Sequence, residues 1–184
     1  YKGGGLSLMT GRYRSGPCSA KGLGAFKAGA NYAGGLMATQ MAKEMGAQEA
    51  LYLDPVERRF LEEAGSANIV LKMKDGTIVT PQSDSILPSV TRRSVMTLAE
   101  DVLGMKTQER PVEFLKEVDD IEEFAACGTA AVISPVGRIR SGESWHRFYG
   151  NGEAIGPVTQ QLYDLLTAIQ KGEREDSYEW TRAV

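Results

Sequence analysis

The chain has little of what marks a secreted, metal-binding, membrane-spanning or nucleic-acid-binding protein. Cysteine occurs twice in 184 residues, at Cys18 and Cys127. Two thiols make no disulfide framework, which fits a reducing, cytoplasmic setting. Neither has a CxxC partner, and histidine occurs once, at His146, so no metal site is expected and His146 reads as a surface residue. The formal net charge of -3 gives no basic excess for nucleic acid or an anionic membrane. No run of about 18 apolar residues is present to cross a bilayer. No GxGxxG or P-loop stands at a strand–helix junction. The opening Tyr1-Lys2-Gly3-Gly4-Gly5 shows neither a secretory signal nor an initiator methionine, and the expectation is a piece of a longer polypeptide.

What is present suits a globular domain. The chain is 42% hydrophobic and 24% charged, ordinary for such a fold, and long enough for one large domain or two small ones. A short strand is expected near Leu6–Met9. A helix follows from Tyr32 to Met45, with Leu36, Met37, Met41 and Met45 on one face and Gly46 at its end. Glu49–Leu53 reads as a strand. Asn68–Met73 and Thr77–Thr80 read as a hairpin about the Lys74-Asp75-Gly76 turn. Ser89 is a fitting N-cap for a helix carrying Val95, Leu98, Val102 and Leu103 up to Gly104. Lys106–Pro111 suggests an edge strand and Glu113–Val118 a short helix. Glu122–Ala126 and Ala130–Val136 are apolar segments around Cys127-Gly128-Thr129. A last helix opens at Gly156-Pro157 and carries Val158, Leu162, Leu165, Leu166 and Ile169 up to Gly172. The mixture indicates an α+β or mixed α/β fold.

Four segments have the chemistry of a site. In Phe26-Lys27-Ala28-Gly29-Ala30-Asn31-Tyr32 a lysine stands among small residues that let a flat ring approach the backbone. A tyrosine hydroxyl five positions on can bond a ring oxygen. Such an amine suits covalent bonding to a carbonyl cofactor, although most lysines are solvated surface charges. Leu87-Pro88-Ser89-Val90-Thr91-Arg92 enters a helix, where free N–H groups, the dipole and the Thr91 hydroxyl suit an anion; the plainer reading is a capped helix. Gly128-Thr129-Ala130-Ala131 permits close backbone approach and offers donors to an oxyanion, or is simply a tight turn. Glu62-Glu63-Ala64-Gly65-Ser66 is either a solvated loop or a source of a carboxylate under a heteroaromatic nitrogen.

Together these segments resemble the large, cofactor-binding domain of branched-chain amino acid aminotransferases, which are fold-type IV pyridoxal-phosphate enzymes. The likeness runs from Tyr1 to Trp180 and includes Leu51-Tyr52-Leu53-Asp54, Phe124-Ala125-Ala126-Cys127 and Ile169-Gln170-Lys171-Gly172. The resemblance implies a barrel-like β core surrounded by helices. It implies that residues 1–184 form that large domain, with the family's N-terminal small domain outside this chain. Lys27 matches the Schiff-base lysine, Tyr32 the tyrosine on the cofactor's phenolic oxygen, and Glu63 the carboxylate on the pyridine nitrogen. Leu87 matches a residue packed on the ring, and Ser66 a small hydroxyl residue near it. Val90, Thr91 and Thr129 match phosphate contacts. The N–H groups of Thr129 and Ala130 match the site for the substrate carboxylate. The implied reaction is transamination between leucine, isoleucine or valine and 2-oxoglutarate, in a homodimer. D-amino acid aminotransferase, aminodeoxychorismate lyase and a non-catalytic large-domain fragment are the alternatives. Two departures from the family stand out. The approach Pro17-Cys18-Ser19-Ala20-Lys21-Gly22-Leu23-Gly24 is longer and makes Lys21 a rival to Lys27. Ala131 and Ser134 replace a CxxC found in some animal members, so no redox switch is implied.

Overall fold

The structure, a computed structural model, describes residues 6–11 and 23–182. Cys18, Lys21 and most of the approach to Lys27 lie outside the described residues. Among the described residues nine strands form one mixed sheet: β1 Leu6–Gly11, β2 Glu49–Leu53, β3 Leu61–Ala64, β4 Asn68–Met73, β5 Ile78–Pro81, β6 Thr107–Arg110, β7 Ile121–Gly128, β8 Val132–Ser141 and β9 Ser144–Arg147. The helices are α1 Gly29–Glu44, α2 Val90–Asp101, α3 Phe114–Glu117 and α4 Pro157–Gln170. The strand order is β3-β2-β1-β8-β7-β4-β5-β6, with β9 beside β8. β1 is central and parallel to both neighbours, β5 and β6 are also parallel, and the remaining pairs are antiparallel. The α+β class therefore holds. The sheet curls until its two ends meet: Phe60 forms a bridge with Glu113, and the N–H of Leu61 donates to Val112 O at 2.8 Å. The curl is barrel-like, but the ladder stays open.

Period-2 alternation sorts the strands' side chains into two cores. Ile69, Leu71 and Met73 of β4 join Phe124 and Ala126 of β7 inside the curl. Val70 of β4 and Ala125 and Cys127 of β7 face outward against Val95 and Leu98 of α2 and Leu162, Leu166 and Ile169 of α4. The Ser89 side chain caps α2 by accepting from Arg92 N at 3.1 Å. Glu123, buried on β7, serves α4: Oε1 accepts from Val158 N at 3.1 Å, and Oε2 accepts from Thr159 N and Thr159 Oγ1, each at 2.7 Å. No helix of the described residues is long and apolar enough to cross a membrane.

The structure corrects four expectations. Helix α1 does not bury its large apolar residues: Leu36 and Met37 are 70% and 67% exposed. It seats a small face instead, with Asn31, Ala38 and Ala42 buried. A Cβ on Gly35 would come within 2.8 Å of Tyr52 Oη, so this face approaches β2 more closely than leucine or methionine would allow. Glu62 and Glu63 are not on a solvated loop but in β3, every residue of which is buried. β8 continues past Val136 to Ser141 and pairs with the unanticipated β9, where the Arg138 guanidinium lies 4.3 Å from the Trp145 ring centroid. His146 is half-buried rather than on the surface, edge-on to Phe114 at 5.4 Å.

Candidate active site

The end of β3, the turn into β4, the entry to α2, the β7–β8 turn and the segment before α1 border one cavity of about 240 Å³. That is slightly below the roughly 300–1,000 Å³ of pockets for drug-sized ligands, a size for one ring rather than a dinucleotide. Its lining includes Lys27, Tyr32, Glu63, Ser66, Leu87, Val90 and Thr129. Thus seven of the candidates, from all four candidate segments, come together. Thr91 follows Val90 in the first turn of α2, and Ala130 follows Thr129 in the β7–β8 turn; neither borders the cavity itself.

Glu63 supplies a buried carboxylate, 6% exposed. Its Oε2 accepts from Asn68 Nδ2 at 3.2 Å and from Leu87 N at 3.3 Å. A carboxylate held this way is compensated in place rather than simply desolvated. The α2 entrance presents donors. Ser89 Oγ takes the N–H of Arg92, and Ser89 O takes that of Arg93 at 3.2 Å. The N–H groups of Val90 and Thr91, the first two of the helix, have no intrahelical acceptor, and the dipole favours an anion there. Thr129 lies in the exposed turn between β7 and β8. Val132, the first residue of β8 where that turn ends, has φ +57°, uncommon for a β-branched residue and costing on the order of 1–3 kcal/mol. Lys27 is exposed, in the irregular segment entering α1. One wall of the cavity is thus anionic, and cationic or donor groups lie around it.

Three neighbours were not singled out from sequence. Asn31 and Asn68 line the same cavity. Asn31 lies within the lysine motif and Asn68 two residues after Ser66, but their amides have no chemistry of their own to draw attention. Glu49 is the third: Ser66 Oγ donates to its Oε2 at 3.2 Å, and a Cβ on Gly65 would meet its Oε1 at 2.6 Å. Burial pushes the Glu49 carboxyl above its ordinary range, with hydrogen bonds from Ser66 opposing. Cys127, also on the lining, has its thiol pushed up to about 12 by burial, despite the pull of the Arg92 charge. It is therefore neutral and unreactive at ordinary pH.

A family model described as amino-transferase class IV matches residues 19–139. This chain is a class IV aminotransferase family member. It is 42% identical over 179 residues to a branched-chain-amino-acid aminotransferase of Helicobacter pylori, covering 97% of this chain and 50% of that protein. A Mycobacterium tuberculosis protein of the same name is 44% identical over 168 residues, covering 86% of this chain and 45% of the relative. The aminotransferase chain thus spans about half the length of the curated relatives it matches. Among solved structures, the branched-chain amino acid aminotransferase from Thermobaculum terrenum, in its PLP-bound holo form, superposes with a TM-score of 0.77 at 28% identity. That match covers 94% of this chain and 53% of the other. The Escherichia coli enzyme gives a TM-score of 0.80 at 28% identity, covering 96% and 56%. The class IV aminotransferase fold is therefore the fold of this chain.

Proposed function

We propose that this chain is the cofactor-binding large domain of a pyridoxal-phosphate-dependent aminotransferase for branched-chain L-amino acids, with 2-oxoglutarate as amino acceptor. The observation that carries this reading is a buried, hydrogen-bonded carboxylate, Glu63, on the same small cavity as Lys27 and the α2 N-terminus. The donor set fits the cofactor: a carboxylate for a protonated ring nitrogen, helix N–H groups for a phosphate and an amine for an aldehyde. The names of the relatives support the branched-chain class. The same reading makes the protein a cytoplasmic homodimer, with the remainder of the active site on a small domain outside this chain.

Pyridoxal 5'-phosphate, when bound, supplies an aldehyde for amines and a ring that accepts the electron pair released at the substrate Cα. Lys27 Nζ is the amine that anchors it covalently. As a free amine Nζ would also take the proton from the substrate Cα and hold it for return, so one group would serve as anchor and general acid–base. Glu63 holds the ring nitrogen protonated. Tyr32 donates to the phenolic oxygen, and Leu87 and Ser66 border the ring. Val90, Thr91 and Thr129 bind the phosphate, and the N–H groups of Thr129 and Ala130 orient the substrate carboxylate.

Borohydride reduction of the chain with pyridoxal 5'-phosphate, followed by peptide mass analysis, tests the anchor. A fixed adduct is expected on Lys27 and none in Lys27→Ala. An adduct retained by that variant, on Lys21 for example, would refute the assignment. With substrates, L-leucine should turn over and D-alanine should not; turnover of D-alanine alone would defeat the branched-chain reading. Lys27→Ala should lower turnover at least about 10²–10⁴-fold, the usual share of the acid–base step alone.

A further inference from the structure

The segment that carries Lys27 has no regular secondary structure, yet its backbone is tied at several points. The N–H of Phe26 donates to Leu23 O at 3.0 Å, and that of Ala28 donates to Phe26 O at 2.9 Å. Asn31, in the first turn of α1 and 8% exposed, does more. Its Nδ2 donates to Leu23 O at 2.7 Å and to Phe26 O at 3.0 Å. Its backbone N–H donates to Ala28 O at 3.0 Å. One residue therefore grips the peptide that leads into Lys27 and the carbonyl just after it.

We infer that Asn31 is a positioning residue that fixes the Lys27 backbone, and so the direction of its amine, through this three-point clamp. Several features single out asparagine. Two carbonyl acceptors require two N–H donors on one short side chain, which a carboxamide has and serine, threonine or aspartate lack. Facing both carbonyls with Nδ2 leaves Oδ1 buried and without a hydrogen-bond partner among the described residues. A buried acceptor left unpaired is disfavoured, so the clamp is kept at a cost to the fold. Asn31 also borders the cavity that Lys27 borders. The other side of the segment is fixed sterically: a Cβ on Gly24 would lie 2.5 Å from Ser85 O. Between Ser85 and Asn31 the segment has little room to drift. A displacement of about 1 Å in a reacting group can cost on the order of 10²-fold in rate.

This inference rests on the proposed role of Lys27, and its test keeps the two apart. The rate of borohydride-fixable adduct formation on Lys27 is measured at saturating pyridoxal 5'-phosphate, across pH, for the full chain and for Asn31→Asp, Asn31→Ala and Leu166→Ala. Leu166 lies in the outer core and serves as a control that lowers stability without touching the segment. Both Asn31 variants should slow the reaction about 10–100-fold, while Leu166→Ala keeps the parent rate wherever it is folded. A parent rate in Asn31→Ala, or equal slowing in Leu166→Ala, would overturn the inference. Absence of adduct in the parent chain would sink the cofactor reading instead. In that event, amide hydrogen exchange at residues 23–28 decides the clamp: faster exchange in the Asn31 variants supports it, and unchanged exchange overturns it.

Discussion

Glu123 offers a quantitative test of how the outer layer is held. Its carboxylate projects from β7 onto the N-terminus of α4 and accepts from Val158 N, Thr159 N and Thr159 Oγ1. Residue and partner are both sequestered: Glu123 is 2% exposed and Thr159 6%. Glu123→Gln keeps the shape. Its amide oxygen can still serve both Thr159 donors, but its NH₂ then faces Val158 N–H, donor against donor. The lost charge-assisted bond is worth about 1.5–3 kcal/mol, and loss of negative charge at a helix N-terminus adds about 0.3–1 kcal/mol. The expected destabilisation is thus about 2–4 kcal/mol. For a domain of this size each kcal/mol lowers Tm by about 2–4 °C, so thermal unfolding followed by circular dichroism should shift down by roughly 4–16 °C. Amide exchange in α4 should rise first. A companion variant sharpens the test. Gly156 has an ordinary φ of -66°, but a Cβ there would fall on the Glu123 carboxyl group. Gly156→Ala should therefore destabilise the parent strongly and Glu123→Ala very little. A Glu123→Gln change within about 0.5 kcal/mol of the parent, or additive effects in the double variant, would refute the reasoning.

Two further outcomes are expected. At Asp54, burial alone would raise the carboxyl, but the N–H groups of Phe60, Arg59 and Glu57 outweigh it and hold the group below its usual range. A carboxyl depressed in the folded state stabilises above the unfolded value of about 3.9 and loses that stabilisation as pH falls through the lower folded value. Asp54→Asn should therefore flatten the acid limb of a stability–pH curve and lower stability at neutral pH; an unchanged acid limb would contradict this. Gly24→Ala should displace the Lys27 segment from Ser85. Its signature is slower adduct formation on Lys27 about 10-fold or more, with Tm moved far less than in Glu123→Gln; equal rates would show that the segment adapts.

Elements that depend on local signals were legible in the sequence. β2 and β4 run over Glu49–Leu53 and Asn68–Met73 as the apolar runs and turns indicate. Gly76, Gly104 and Gly172 take the left-handed φ that ends their segments. The elements that were not legible depend on partners far along the chain. β3 has two acids at its centre. Glu62 can be buried there because the hydroxyls of Ser83 and Ser85 bond its Oε1. Glu63 can be buried because Asn68 and Leu87 N bond it. The contacting face of α1 misled for the opposite reason: large side chains signal burial, but close approach to Tyr52 selects small ones. Within the site, groups with reactive chemistry announced themselves, whereas Asn31, which acts through backbone carbonyls, did not.

The central place of β1 has a consequence for how the chain assembles. Leu6–Gly11 precedes the other eight strands in sequence, yet Leu6 pairs with Val136 and Leu8 with Ile139, far along the chain. Its other neighbour, β2, is also separated from it by the whole of α1. Loop-closure entropy must therefore be met before the middle of the sheet is rewarded, a topology that folds slowly compared with one built from neighbouring hairpins. During synthesis β4 and β5 can pair as soon as they emerge, whereas β1 keeps one edge open until β2 has emerged and the other until β8 appears. Unpaired edges of that kind invite pairing with other chains, so the first strand, remote in sequence from Glu63 and Thr129, sets the pace at which a complete cavity can form.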